Sequence, residues 1–345
     1  MSNTQNITDR LQRSLHDLRI SVTDRCNFRC GYCMPKDIFG KNYSFLPKRE
    51  LLSYDEIERI VRIFAQLGVK KLRLTGGEPL LRNDLEDLIV LLDNVPEIED
   101  IALTTNASLL SEKRAQSLRE AGIHRLNISL DALDPSIYQK INEIPTPLED
   151  VLNGIEYALA SGFEAVKINM VVQKGINESD ILPMVRKFKG SGAILRFIEF
   201  MDVGNHNHWS MDQVFSAGEI LETIEAEFPL ESCDANYQGE VAKRWKFQDG
   251  TGELGIISSI TQPFCGDCSR ARLSAIGELY TCLFATSGFD LRTLLRSGNE
   301  DDQLKTMIEN IWLQRQDRYS EMRLKGENAP GRTGSQKVEM SYIGG

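Results

Sequence analysis

The feature that most constrains this chain is an alternation. Between residues 17 and 228, apolar strand-like runs and amphipathic helical runs follow one another six times. Residues 17–22, 69–75, 100–105, 125–130, 165–172 and 193–200 read as strands, and 55–68, 84–92, 112–121, 148–160, 179–187 and 216–228 as the helices that follow them. In the first helix Ile57, Ile60, Val61, Phe64 and Leu67 keep helical spacing, with Ser53 as N-cap and Gly68 as stop. Such a series calls for a parallel sheet with right-handed crossovers, its strands rich in Val, Ile and Leu because both faces are covered. Six units are too few to close an eight-stranded barrel. The expected fold is therefore α/β, an open, partial (β/α)6 TIM-like barrel, with function at the carboxyl ends of its strands.

The texture changes after about Pro229. Residues 240–247 and 254–261 look like short strands, 302–314 is helical, and 323–345 is polar and dotted with Gly and Pro. The reading is a barrel over 1–230 and a smaller domain over 231–345, in keeping with a length of 345 residues and about 150 residues per domain. Forty basic against fifty acidic residues give a formal charge of −10, which argues against a nucleic-acid polymer or a membrane surface as partner. No apolar run approaches the roughly 18–20 residues that span a bilayer, and residues 1–19 have no signal-like apolar stretch, so the expected location is cytoplasmic.

Six of the seven cysteines fall into two triplets, and in a reducing compartment these are not a disulfide framework. Cys26, Cys30 and Cys33 place three thiolates in one short loop, suited to zinc or an iron–sulfur cluster. Structural zinc wants a fourth ligand that no nearby His or Cys supplies; buried core thiols are the plainer alternative. A [4Fe–4S] cluster tied by three cysteines leaves one iron open to a ligand. Cys265, Cys268 and Cys282 form the second set, read either as a zinc knuckle completed from elsewhere, with Cys233 as a candidate, or as a second cluster. Arg270-Ala271-Arg272 lies between them and suits a phosphate-bearing ligand, although alone it would be a solvated turn. His206 and His208 read as a solvated loop.

The run Asp24-Arg25-Cys26-Asn27-Phe28-Arg29-Cys30-Gly31-Tyr32-Cys33-Met34-Pro35 resembles the cluster loop of the radical S-adenosylmethionine enzymes, and Thr75-Gly76-Gly77-Glu78-Pro79 resembles their glycine-rich segment. In such a segment Gly76 and Gly77 let backbone approach the methionyl amine and Glu78 accepts from it. Added to the second triplet, the pieces Asp17-Leu18-Arg19, Leu103-Thr104-Thr105-Asn106, Asn127-Ile128-Ser129-Leu130-Asp131, Arg196-Phe197-Ile198-Glu199-Phe200-Met201 and the closing Gly344-Gly345 resemble the GTP 3′,8-cyclase family of molybdenum-cofactor synthesis, over essentially the whole chain.

The resemblance implies two [4Fe–4S] clusters and S-adenosylmethionine as cofactors. Cys26, Cys30 and Cys33 would ligate the first cluster and Cys265, Cys268 and Cys282 the second, in the C-terminal domain. Tyr32, Gly77, Glu78, Ser129 and Met201 would contact S-adenosylmethionine; Arg19, Arg73, Thr104, Lys167, Arg270, Ala271 and Arg272 would contact GTP. Arg270, Arg272, Gly344 and Gly345 would serve catalysis, the tail reaching into the active site. A 5′-deoxyadenosyl radical would take hydrogen from C3′ of GTP, giving 3′,8-cyclo-7,8-dihydro-GTP. The implied partners are an electron donor, cyclic pyranopterin monophosphate synthase as receiver of the product, and a second copy in a homodimer. One departure is Ala107, where the family commonly has glycine. Two rivals are a peptide-modifying radical enzyme, whose extension would carry more cysteines, and a non-catalytic redox sensor, which would not need Gly76-Gly77-Glu78.

Overall fold

A computed structural model describes residues 6–237, 239–326 and 336–344. Six strands, β1 (Asp17–Ser21), β2 (Lys71–Thr75), β3 (Asp100–Thr105), β4 (Arg125–Ser129), β5 (Ala165–Val172) and β6 (Ala193–Glu199), pair side by side in chain order, all parallel. Each crossover is helical. The first helix, Tyr54–Gln66, begins at a capping box in which Ser53 and Glu56 satisfy each other's backbone N–H groups. A further helix, Pro135–Asn142, is absent from the sequence reading although Asp134 caps it and Pro135 opens it.

The C-terminal strands are β7 (Leu230–Cys233), β8 (Lys243–Phe247), β9 (Glu253–Ile257), β10 (Arg270–Leu273), β11 (Glu278–Tyr280) and β12 (Phe289–Asp290). They do not build a sheet of their own. β9 runs parallel to β6 and β10 runs parallel to β1, so the six-stranded row gains a parallel strand at each edge. Antiparallel β8 and β7 finish one edge, and β11 and β12 the other. Among the described residues β9 and β10 do not pair, and the barrel stays open.

A single apolar cluster joins Leu18, Leu72, Leu103, Leu126, Ile168 and Phe197 of the row to Ile256, Leu273, Leu304 and Trp312 of the C-terminal part. The strand side chains among these occupy the outward face of the sheet, and Leu304 and Trp312 belong to the helix Asp301–Leu313. The alternate positions carry Arg19, Arg73, Thr104, Asn127, Lys167 and Arg196. The expectation of strands apolar on both faces thus holds on one face only: the barrel interior is polar. Among the described residues no helix is long and apolar enough to cross a membrane.

Candidate active site: two thiol triplets across a polar barrel

Beyond Ser21 the chain enters the loop of Cys26, Cys30 and Cys33. The Gly-Gly-Glu segment pairs with it directly: Gly77 N donates to Thr23 O (2.9 Å) and Glu78 N to Arg25 O (2.8 Å). A Cβ on Gly76 would overlap Thr23 O, and one on Gly77 would overlap Arg25 O and crowd Cys26 N. The glycines are therefore required by the close approach of the cysteine loop itself. On its other side the loop rests on the helix Pro135–Asn142, where Arg29 N donates to Asn142 O (3.1 Å), Gly31 N to Ile141 O (3.1 Å) and the Cys30 thiol to Asn142 Oδ1 (3.3 Å).

Glu78 is buried and fully engaged within the chain. Its Oε1 accepts from Leu80 N (3.0 Å) and Thr105 Oγ1 (2.7 Å), and its Oε2 from Asn106 N (2.8 Å), tying the ends of β2 and β3 together. Tyr32 donates its hydroxyl to Asp131 Oδ2 (2.7 Å), whose Oδ1 accepts from Val171 N (2.8 Å). Burial pushes both carboxyls, Glu78 and Asp131, up to about 6. Ser129 closes β4, and Met201 lies just past the end of β6. The first triplet, Tyr32, Gly77, Ser129 and Met201 thus share the carboxyl ends of neighbouring strands.

The middle of the barrel is a row of polar side chains in register. Arg19 lies between Arg272 of β10 and Arg73 of β2; Thr104 pairs with Asn127, Asn127 with Lys167, and Asn169 with Arg196. Burial and then one another's charge depress these cations. Burial, then Arg73 and Arg272, hold Arg19 well below its usual range. Burial followed by Arg196, Arg125 and Arg73 brings Lys167 to about 7; burial and Arg196 bring Arg73 to about 10, and burial and Arg270 bring Arg272 to about 9. Thr104 Oγ1, both amide atoms of Asn127 and Oδ1 of Asn169 are buried without a hydrogen-bond partner. Toward the amino ends the row opens into a pocket lined by Asp17, Arg19, Lys71, Arg73, Tyr237 and Arg270, among others. Asn127, Asn169, Arg125, Arg196 and Lys71 are the residues that sequence reasoning left without a role. For Lys71, Arg125, Asn127 and Asn169 the signal was period two, each lying two residues from another polar position of the same strand; Arg196, between Ile194 and Ile198, carried no such signal.

The second triplet sits at these opposite, amino ends, away from the carboxyl ends where the barrel rule places function. Ser269 O, beside Cys268, accepts from both His16 N and Asp17 N (3.1 Å each), which fixes the cysteine loop to the start of β1. Cys265 and Cys268 precede β10, and Cys282 follows β11. Burial opposes ionisation of Cys268, yet Arg270 and Arg315 outweigh it and bring the thiol down to about 6; their guanidiniums donate to its Sγ at 3.3 and 3.2 Å. Ala271 faces the apolar core, away from Arg270 and Arg272. Cys233 lies on β7, with its Sγ directed to Glu231 O.

The tail enters the barrel between the two ends. Arg272 Nη1 donates to Gly344 O, and Gly344, at φ 73°, packs so closely on Thr75 that a Cβ would overlap its methyl group. Gly345 lies outside the described residues. Upstream, Glu339 accepts from Asn205 N (3.1 Å) and pairs with His206 Nδ1 (2.8 Å), while Lys337 Nζ donates to Asp202 O (2.6 Å). His206 lies in an exposed loop as read from the sequence, and its pairing with Glu339 makes it part of a strap for the tail.

The first triplet fits the iron–sulfur cluster that the sequence suggested. The first three thiols act on one another electrostatically: burial and then Asp131, Cys26 and Cys33 raise Cys30, and burial with Glu78 takes Cys26 to about 12. Mutual repulsion of this kind is relieved by bound iron. Among the described residues no three His, Cys, Asp or Glu converge on one metal-ion position; a cubane cluster, which gives each thiolate its own iron, asks for spread ligands. The orphaned polar atoms and crowded cations of the row fit a polar anion.

Comparison with known proteins gives this arrangement a class. Residues 20–188 match the Radical SAM superfamily, and residues 193–321 match the family described as Molybdenum Cofactor Synthesis C. The structure of Streptococcus suis SuiB bound to S-adenosylmethionine superposes with a TM-score of 0.59 at 16% identity, over 86% of this chain and 68% of SuiB, so the two share the fold. The chain is a radical S-adenosylmethionine enzyme. Its sequence relatives are more specific: it is 48% identical to the GTP 3′,8-cyclase of Acidothermus cellulolyticus, over 99% of this chain and all of the relative. It is 50% identical to that of Staphylococcus carnosus, over 98% and 99%. The chain belongs to the GTP 3′,8-cyclase family, in molybdenum-cofactor synthesis.

Proposed function

We propose that GTP is cyclised inside the barrel, held between a [4Fe–4S] cluster on Cys26, Cys30 and Cys33 and a second on Cys265, Cys268 and Cys282. What carries this reading is the row between the triplets, where buried cations crowd one another and Thr104, Asn127 and Asn169 keep polar atoms without partners. Unpaired buried polar groups cost free energy that a bound nucleotide recovers. A cluster on Cys26, Cys30 and Cys33 would supply the electron that cleaves S-adenosylmethionine and so opens radical chemistry at C3′ of GTP; closing C3′ onto C8 would take one more electron and a proton, drawn from the one-electron donor and from solvent.

The chain's own residues do the rest. Tyr32, Gly77, Ser129 and Met201 hold S-adenosylmethionine at the carboxyl ends, with Glu78 fixing Gly77 from behind. Arg19, Arg73, Lys167, Arg270 and Arg272 collect the charge of the triphosphate, joined by Ala271 through its main chain. Lys167, depressed to about 7, takes up a proton as the anion arrives. Thr104 orients the nucleotide by its hydroxyl. Arg272 keeps Gly344 in the cavity, where the tail excludes water from the reacting carbon. Residues 1–230 thus supply the radical end and 231–345 the substrate end. We further place the enzyme in the cytoplasm as a homodimer, fed by a low-potential one-electron donor and passing product to cyclic pyranopterin monophosphate synthase.

The test is anaerobic reconstitution, iron and sulfide counting, and incubation with S-adenosylmethionine, dithionite and each nucleoside triphosphate. Two clusters' worth of iron, with 5′-deoxyadenosine formed in step with consumption of GTP alone, is the expected result. Nucleotide-independent deoxyadenosine would overturn the substrate assignment, and zinc in place of iron would overturn the site.

A further inference from the structure

Behind the second triplet lies a buried ion network that the cyclisation site does not use. The side chains of Asp9, Arg13 and Arg315 are at most 1% exposed. Arg13 Nε donates to Asp9 Oδ2 (2.6 Å), and Arg315 Nη1 lies 3.4 Å from the same oxygen. Two guanidiniums therefore share one buried carboxylate; Asp317 Oδ2, 3.5 Å from Arg315 Nε, is 35% exposed. Surplus buried charge is costly unless an anion balances it.

The surplus is aimed at the cysteine loop. Arg315 grips Cys268 with both arms of its fork, Nη1 to the carbonyl (2.6 Å) and Nη2 to Sγ (3.2 Å). Arg13 Nη1 donates to Cys265 O and to Asp317 O (2.8 Å each), and its Nη2 is buried without a partner. Trp312 fixes both arginines, with the Arg315 guanidinium 4.5 Å from its ring centroid and its Nε1 donating to Arg13 O (3.1 Å). A planar fork held this way is poorly replaced by lysine.

We propose that Arg315, braced by Asp9, Arg13 and Trp312, is a positioning residue that fixes Cys268 as a cluster ligand and raises the reduction potential of the second cluster. This rests on the reading that the second triplet holds a [4Fe–4S] cluster. An N–H donated to a ligating sulfur, and a buried positive charge beside it, stabilise the electron that the oxidised cluster accepts from a one-electron donor.

The experiment is an EPR-monitored redox titration, with dithionite, of the reconstituted full chain and its Arg315→Gln and Arg315→Lys variants. The first cluster, identified by the response of its signal to S-adenosylmethionine, is the internal control. Arg315→Gln is expected to lower the second potential and leave the first unchanged; Arg315→Lys, which keeps charge but not the fork, gives a smaller shift in the same direction. Selective loss of the second cluster's iron from Arg315→Gln would equally support the positioning role. Unshifted potentials in both variants, with or without a lower melting temperature, would reduce the network to a structural staple and overturn the proposal. So would failure of both variants to fold. Wild-type chain with a single cluster's iron would instead overturn the underlying reading.

Discussion

The two triplets each present three thiols, but in different electrostatic company. Burial raises the first set, and the charged neighbours that add most to it are carboxylates: Glu78 at Cys26, Asp131 at Cys30, and Glu339, after Cys26, at Cys33. At the second set the company is mixed: Arg270 and Arg315 outweigh burial and bring Cys268 down to about 6, while burial and then Asp317 push Cys282 up to about 12. Negative surroundings make a bound cluster harder to reduce and a stronger donor once reduced; positive surroundings do the reverse. A cluster at the first set would thus be the stronger donor once reduced, while at the second set Arg270 and Arg315 work against Asp317. Cysteine spacing alone does not tell the two sets apart; the charged side chains around each thiol do.

The largest effects come from removing one thiol at either end. Cys30→Ala should abolish both 5′-deoxyadenosine and cyclised product. Cys268→Ala should lose the cyclised product yet retain deoxyadenosine formation, because the first loop is built by Gly77, Glu78 and the helix Pro135–Asn142 without help from the second. Parallel quantification of both products checks this; equal loss of deoxyadenosine in the two variants would break the comparison.

Next is the basic row between them. Lys167→Met should weaken GTP binding about 10–100-fold, the equivalent of one charge-assisted hydrogen bond of ~1.5–3 kcal/mol, and leave S-adenosylmethionine binding unchanged. The pH dependence has a definite sign. Burial first, then Arg196, Arg125 and Arg73, against the opposing charge of Glu240, set Lys167 at about 7. The free enzyme therefore sheds this proton above pH 7 and must regain it to bind a phosphate. GTP affinity should fall as pH rises from 7 toward 9, by at most about tenfold per unit, and Lys167→Arg should flatten the slope. Calorimetry across that range, with proton uptake read from buffers of different ionisation enthalpy, decides it; an affinity that rises with pH would remove Lys167 from the row.

Much of the first end was legible in the sequence, because its parts are contiguous. Cys26 to Cys33 lie on one loop, and β5 occupies Ala165–Val172, the same span that its apolar run predicts. The second end was less so. Arg270-Ala271-Arg272-Leu273 reads as a basic turn in isolation; it is a strand because Leu18 and Arg19, far away in the chain, offer it an edge. The predicted strand 254–261 stops at Ile257, since Glu199 captures Ile260 N (2.7 Å) and Thr261 N (2.9 Å) and turns the chain. Asp9, Arg13 and Arg315 meet from opposite ends of the sequence, and no local pattern announces such a meeting.

A smaller effect belongs to the strap that carries the tail from one end toward the other. Glu339→Ala frees Asn205 and His206, and it should cost the cyclised product roughly three- to tenfold, in line with ~1 kcal/mol for a lost hydrogen bond. Deoxyadenosine formation should persist, so that the ratio of the two products is the sensitive readout. An unchanged ratio would mean that Arg272 alone retains the tail.

The smallest effect is expected beside the first triplet, at the position where glycine is usual. Ala107 is fully buried and left-handed at φ 59°, a conformation that costs a residue with a Cβ about 1–2 kcal/mol. It follows Asn106, whose Nδ2 donates to Asn27 Oδ1 (2.9 Å) in the cysteine loop, so the strain is stored at the mouth of the radical end. Ala107→Gly removes it, but gives up a buried methyl worth ~0.8 kcal/mol and adds freedom to the unfolded chain worth ~0.4–1 kcal/mol. The opposing effects nearly cancel, and stability should stay within about 1 kcal/mol of the parent. Ala107→Val is the contrast. It keeps the unfavourable φ, adds branching, and presses on Gly154, where even a Cβ would lie 3.1 Å from that of Ala107. Chemical denaturation of the pair therefore isolates the conformational cost: a marked loss in Ala107→Gly would mean that the methyl's packing, and not the backbone, governs this turn.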